Sequence, residues 1–96
     1  MNRLEIISAI KKFKSENAKN FRINTLGVFG SASRDEIGVE SDVDIIIETD
    51  TPDLFILVHI KVELEKILHH RVDIVRKREN MNPFLRKRIE KDIIYV

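Results

Sequence analysis

The chain has no cysteine, which excludes disulfides and thiolate metal sites. That absence fits a reducing, cytoplasmic setting. It has almost no net charge, with 17 Lys plus Arg against 16 Asp plus Glu. A general nucleic-acid coat needs a strong basic excess, so nucleic acid is not an expected partner. Long apolar runs are missing too. Ile45-Ile46-Ile47 and the mixed stretch from Leu54 to Ile60 fall far short of the ~20 residues a membrane-spanning helix needs. Met1-Asn2-Arg3-Leu4-Glu5 carries a glutamate and no apolar stretch, so no secretory leader is expected. There is no internal repeat, low-complexity segment or linker. These absences describe a soluble protein with no membrane role.

The 96 residues leave room for one core, so a single domain over residues 1–96 is expected. A chain of this size hides only about two-thirds of its unfolded surface. It cannot enclose a large substrate. Any deep pocket stays open on one side or needs a partner chain.

Residues 3–15 read as a helix, with Ile6, Ile10 and Phe13 at helical spacing and Lys11, Lys12 and Lys14 outside. Glu16 to Asn20 reads as a polar break. Ile23 to Phe29 reads as a strand ending at Gly30. A short helix is expected near Ser31, whose hydroxyl suits an N-cap. Val43 to Glu48 is a second strand, apolar enough to be buried on both faces. Thr51-Pro52-Asp53 reads as a helix start: Thr51 caps, Pro52 takes the first position and Asp53 favours the dipole. That helix runs to about Leu68, with Leu57, Ile60, Leu64, Ile67 and Leu68 inward. Arg71 to Val75 is a third strand. Asn82-Pro83 opens a last helix, with Leu85, Ile89 and Ile93 on one face. This order implies an α/β (α+β) fold, a small sheet packed with helices. It does not fix the topology.

The chemistry is concentrated in two motifs. Val28-Phe29-Gly30-Ser31-Ala32-Ser33-Arg34 places a glycine-serine turn at the end of a strand. Such a turn can present amides and a hydroxyl to a phosphate. Ser41-Asp42-Val43-Asp44 opens the next strand. Side chains alternate along a strand, so Asp42 and Asp44 share a face. Asp73 is a lone charge in Val72-Asp73-Ile74-Val75. If the second and third strands are neighbours in register, three carboxylates converge. Such a cluster needs compensation, and hard divalent cations supply it through oxygen ligands. Two ions about 4 Å apart can clamp the attacking and leaving oxygens of an in-line displacement.

With Gly30-Ser31, Arg34, Asp42-Val43-Asp44 and Asp73 assembled, the chain resembles the minimal nucleotidyltransferases of the DNA polymerase beta-like superfamily. The resemblance spans nearly the whole chain. It implies a polymerase beta-like fold in which Gly30, Ser31 and Arg34 contact the triphosphate of ATP. It implies that Asp42, Asp44 and Asp73 hold two Mg²⁺ ions, and that Asp73 helps activate the acceptor hydroxyl. Many small members are antitoxins that transfer AMP to a tyrosine of a HEPN-type toxin, which makes such a toxin the implied partner. One departure stands out. The family often has Gly after the motif Arg, whereas Asp35 and Glu36 follow Arg34 here.

Blander readings sit beside these. Asp42 and Asp44 alone would be a solvated strand end, and Ser31 alone a helix cap. His59, His69 and His70 lack metal-ligand spacing and belong to a helix surface and its C-terminal end. Arg76-Lys77-Arg78 and Arg86-Lys87-Arg88 read as solvated faces, with Arg76 or Lys77 within reach of a phosphate or an acidic partner. Phe55 and Ile56 are core or a partner-binding patch. The competing functions are a non-catalytic module that occludes a partner, and nucleotidylation of RNA or a small molecule.

Overall fold

The structure, a computed structural model, describes residues 2–38, 40–51 and 53–96. Its first element, α1 (Arg3–Phe21), opens on a capping box. The Asn2 side chain accepts from the Glu5 amide at 2.9 Å, and Glu5 accepts from the Asn2 amide at 3.2 Å. Two otherwise orphaned donors are thereby satisfied. The helix runs through the polar stretch expected to end it. No Gly or Pro interrupts residues 16–20, and the cost of Asn in a helix is small. Ala18 and Phe21 pack against the core, so burial outweighs polarity. Asn17 donates to the Phe13 carbonyl, and Phe21 meets the His59 ring at 5.4 Å. Arg22, left-handed at φ 54°, ends the helix.

Four strands follow: β1 (Ile23–Phe29), β2 (Val43–Thr49), β3 (Val72–Arg76) and β4 (Ile94–Tyr95). They form one mixed sheet in the order β3-β2-β1-β4. β1 lies antiparallel to β2 and to β4, whereas β2 and β3 are parallel. A parallel pair needs a long crossover, here supplied by α2 (Leu54–Leu68). A 3-10 turn over Gly30–Ala32 leaves β1, and α3 (Pro83–Asp92) joins β3 to β4.

The sheet has two unequal faces. Val43, Ile45 and Ile47 of β2 join Leu26, Val28 and Val72 under α1 and α2. Ile6, Ile10, Phe13, Ile60, Leu64 and Leu68 complete this core. Each such buried side chain contributes about 1.5–3 kcal/mol. On the other face Phe29, Ile46 and Ile89 form a smaller cluster with Val75, Met81, Leu85 and Ile93. α3 buries only Ile89. That thin cover explains why β2 is apolar on both faces, and why one end of this face stays polar.

Several local expectations change. Ser31 caps no α-helix: the 3-10 turn has no side-chain cap, and Ser33 Oγ donates to Gly30 O at 2.7 Å. Asp53, not Thr51, is the N-cap of α2, accepting from the amides of Phe55 (2.9 Å) and Ile56 (3.3 Å). The Thr51 carbonyl instead accepts from Thr49 Oγ1. Pro52 lies outside the described residues. Ile67 is exposed because the buried stripe of α2 repeats every four residues through Ile60, Leu64 and Leu68. Ile56 packs on the core while Phe55 faces solvent. Ile93 leaves the helix in an extended conformation and starts the path into β4. β4 went unanticipated because its two residues sit in an apolar run that also fits a helix face.

Candidate functional site

The polar end of the thinly covered face carries the three aspartates. The parallel register pairs Asp44 with Asp73 and Val43 with Val72. The antiparallel register sets Asp44 opposite Phe29, the residue before Gly30. Strand pairing therefore brings the glycine turn, Asp44 and Asp73 together.

Gly30 is the tightest junction. Its φ is +71°, in the left-handed region. A Cβ built there would lie 2.3 Å from Asp44 Oδ2. Backbone conformation and the neighbouring carboxylate thus both require glycine. The Gly30 carbonyl accepts from the amides of Ser33 (3.1 Å) and Arg34 (3.3 Å). The amides of Asp35 and Glu36 donate to Ala32 and Ser31 carbonyls. Hydrogen bonding within the turn begins at the Ser33 amide, leaving the Ser31 and Ala32 amides ahead of the ladder.

The three carboxylates differ in setting. Asp44 is half-buried. Burial pushes its carboxyl above the ordinary value of 3.8; Asp73 and Asp42 push the same way, while Arg88 and Arg34 oppose them. Asp73 is exposed. Asp42 Oδ1 lies 3.0 Å from Arg71 Nε. That oxygen is buried and receives no aligned hydrogen bond among the described residues. Arg71 also donates to the Glu40 carbonyl at 3.3 Å. Among the described residues no three His, Cys, Asp or Glu side chains close on a single point.

Arg34 is held by two acids. Its Nε lies 3.0 Å from Glu36 Oε2, and its Nη1 pairs with Asp92 Oδ2 at the end of α3. Asp35 takes no part. Left-handed at φ 59°, it turns outward and accepts from the Arg3 amide at 2.9 Å. The acidic pair after Arg34 therefore splits, one acid tying down α1 and the other gripping the arginine.

Arg71, Arg88 and Asp92 went unread in the sequence. Arg88 sits in a basic triplet that looks like a solvated face, and Asp92 has no motif around it. Arg86, from the same triplet, fastens the β3–α3 loop by donating to the carbonyls of Glu79 (2.6 Å) and Arg78 (3.4 Å). Lys77 lies over the Tyr95 ring at 5.5 Å. Both belong to a cleft of about 350 Å³ on the same sheet face, floored by Ile46, Met81 and Ile89. His69 ends α2 in a left-handed conformation, as its position suggested, and His59 is exposed. No helix among the described residues is long and apolar enough to cross a membrane.

The chain is similar to known proteins over nearly its whole length. A family model described as "Nucleotidyltransferase domain" matches residues 10–96. A Methanocaldococcus jannaschii protein named as a candidate protein adenylyltransferase, MJ1379, is 36% identical over 96% of this chain and 95% of its own. The protein adenylyltransferase MntA of Thermococcus cleftensis is 33% identical over 96% of this chain and 93% of its own. A solved structure of a candidate minimal nucleotidyltransferase superposes with TM-score 0.78 and 28% identity, covering 98% of this chain and 95% of that one. The MNT antitoxin fold in a complex with a tri-AMPylated Shewanella oneidensis HEPN toxin superposes with TM-score 0.69 and 23% identity, over 99% of this chain and 71% of that one.

Proposed function

This chain belongs to the nucleotidyltransferase domain family, and from that premise we propose that it transfers AMP from ATP to a hydroxyl, a tyrosine's, on a HEPN-type toxin and thereby acts as its antitoxin. One observation carries the reading. Asp44 sits beside Asp73 across a parallel pair, two residues from Asp42 and against Gly30. Donor phosphate and divalent cation would meet there.

Asp42, Asp44 and Asp73 would hold Mg²⁺. Their oxygens suit that ion, and a cation relieves both the burial and the mutual repulsion that raise the Asp44 carboxyl. The buried Asp42 Oδ1 without an aligned donor fits the same role. Bound Mg²⁺ supplies charge neutralisation for phosphoryl transfer. Gly30 lets the backbone come close, and Ser31 with the leading amides of the turn faces the triphosphate. Arg34 approaches from the same turn. Asp73, exposed at the rim, accepts the proton of the incoming hydroxyl. The hydroxyl oxygen bonds to the α-phosphorus, the bond to the bridging oxygen breaks, and pyrophosphate leaves. Positioning and electrostatics supply most of such catalysis. The acceptor comes from another chain, for this sheet face is only thinly covered. A cytoplasmic location follows from this substrate and partner.

The protein adenylyltransferase name of the Thermococcus relative supports the transferred group, and the HEPN toxin complex supports the partner class. A second reading is occlusion without chemistry, favoured by the exposed apolar residues Leu54, Phe55, Val58 and Val62 on α2. The double variant Asp42→Asn/Asp44→Asn separates the two. If it still binds the toxin but no longer silences it, transfer is required. Undiminished silencing would leave occlusion as the function.

A further inference from the structure

We infer that Asp92 is a positioning residue for the donor nucleotide, acting through Arg34, and that Glu36 is the contact the nucleotide displaces. The inference rests on the nucleotidyltransferase reading above and adds a residue that no motif contains.

Arg34 presents five N–H donors in a rigid fork. Two of its nitrogens are engaged, Nη1 by Asp92 and Nε by Glu36. A guanidinium held by two carboxylates is fully neutralised, so an incoming triphosphate meets excess negative charge. One carboxylate must give way. The Glu36 side chain is 61% exposed and that of Asp92 only 12%. Water already solvates Glu36, so releasing it costs little. Releasing Asp92 would strand a charge with little access to water, which is far more costly. Asp92 is therefore the fixed anchor and Glu36 the exchangeable one.

Direction supports the assignment. Asp92 ends α3, which packs against the Gly30–Ala32 turn as well as β1. The anchor thus comes from a different element than the arginine. It fixes a side chain that would otherwise swing freely from a short turn. Arg34 follows the same turn whose Gly30 abuts Asp44. Asp35 is turned to the start of α1 and does not compete.

The test is a double-mutant cycle on equilibrium binding of ATP with Mg²⁺ to the whole chain, without acceptor. Asp92→Asn and Arg34→Ala each weaken ATP binding by roughly tenfold, the scale of one charge-assisted contact. The double variant is no weaker than Arg34→Ala alone, because Asp92 acts only through Arg34. Glu36→Gln binds ATP more tightly than wild type, and Asp92→Glu recovers part of the loss. Should Asp92→Asn fail to fold, Arg34→Lys takes its place: charge remains but the fork is gone, and a similar loss is expected. Additive losses in the cycle, wild-type affinity for folded Asp92→Asn or for Arg34→Lys, or weaker binding by Glu36→Gln would each overturn the inference. A wild-type chain that binds no ATP would instead overturn the nucleotidyltransferase reading itself, and this inference with it.

Discussion

Replacing Gly30 with alanine puts a methyl carbon 2.3 Å from Asp44 Oδ2, far inside any tolerated contact. Two costs combine. An L-residue at φ +71° loses about 1–2 kcal/mol. Forcing a methyl into an occupied space costs about 1–3 kcal/mol more. Asp44 is the end of a short side chain, so it can rotate away and recover part of the second term. A net loss of about 2–4 kcal/mol follows, and at about 4–8 °C per kcal/mol the melting temperature falls by roughly 8–32 °C. Gly38 is the internal control. A Cβ there meets Ser41 Oγ at 3.4 Å, an ordinary contact, so Gly38→Ala stays within about 0.5 kcal/mol. The assay is thermal unfolding followed by circular dichroism. ATP binding with Mg²⁺ is measured on Gly30→Ala below its transition. Rotation of Asp44 to escape the methyl also removes ATP binding. A Gly30→Ala protein that melts with wild type and binds ATP normally would refute both the strain and the contact.

Other outcomes follow from the same geometry. Asp44→Asn stabilises the free protein at neutral pH. A carboxyl raised above 3.8 stabilises the fold most when protonated, and that contribution is lost as pH rises through the raised value. The gain from Asp44→Asn therefore shrinks as pH falls through the raised value and is gone below 3.8, and melting curves from pH 3 to 8 check the sign. Asp53→Ala removes the carboxylate that accepts two amides at the start of α2 and costs about 0.5–2 kcal/mol, whereas Thr51→Ala changes little. Denaturant unfolding of the two variants distinguishes the caps. Mg²⁺ with ATP at 100 times the dissociation constant raises wild-type stability by about 2.7 kcal/mol and leaves Asp42→Asn/Asp44→Asn unmoved.

Strand periodicity predicts that Asp42 and Asp44 share a face, although in the fold Asp42 stands just ahead of β2. β1 was readable to the residue, and β2 and β3 to within one, because their apolar runs end at polar or turn residues. What joins Asp73 to Asp44 is register, a relation between distant segments that no local pattern encodes. The Phe21 end of α1 was hidden for a related reason. Glu16 to Asn20 look like a break until Ala18 and Phe21 find the core. Arg34 showed the limit most clearly. Sequence showed only that Asp35 and Glu36 follow it. In the fold Asp35 accepts from the Arg3 amide of α1, and a second acid on Arg34, Asp92, comes from 58 residues away. Ion pairs between elements follow topology, and topology was the part left open.

The most direct measurement uses ATP labelled in the α-phosphate or, separately, in the γ-phosphate. Each is incubated with Mg²⁺, this protein and a HEPN-type protein as candidate acceptor. The account predicts that the α-label becomes covalently attached to a tyrosine of that protein, that the γ-label leaves as pyrophosphate, and that Asp42→Asn/Asp44→Asn abolishes attachment. Attachment of the γ-label, or no attachment of either, would contradict it.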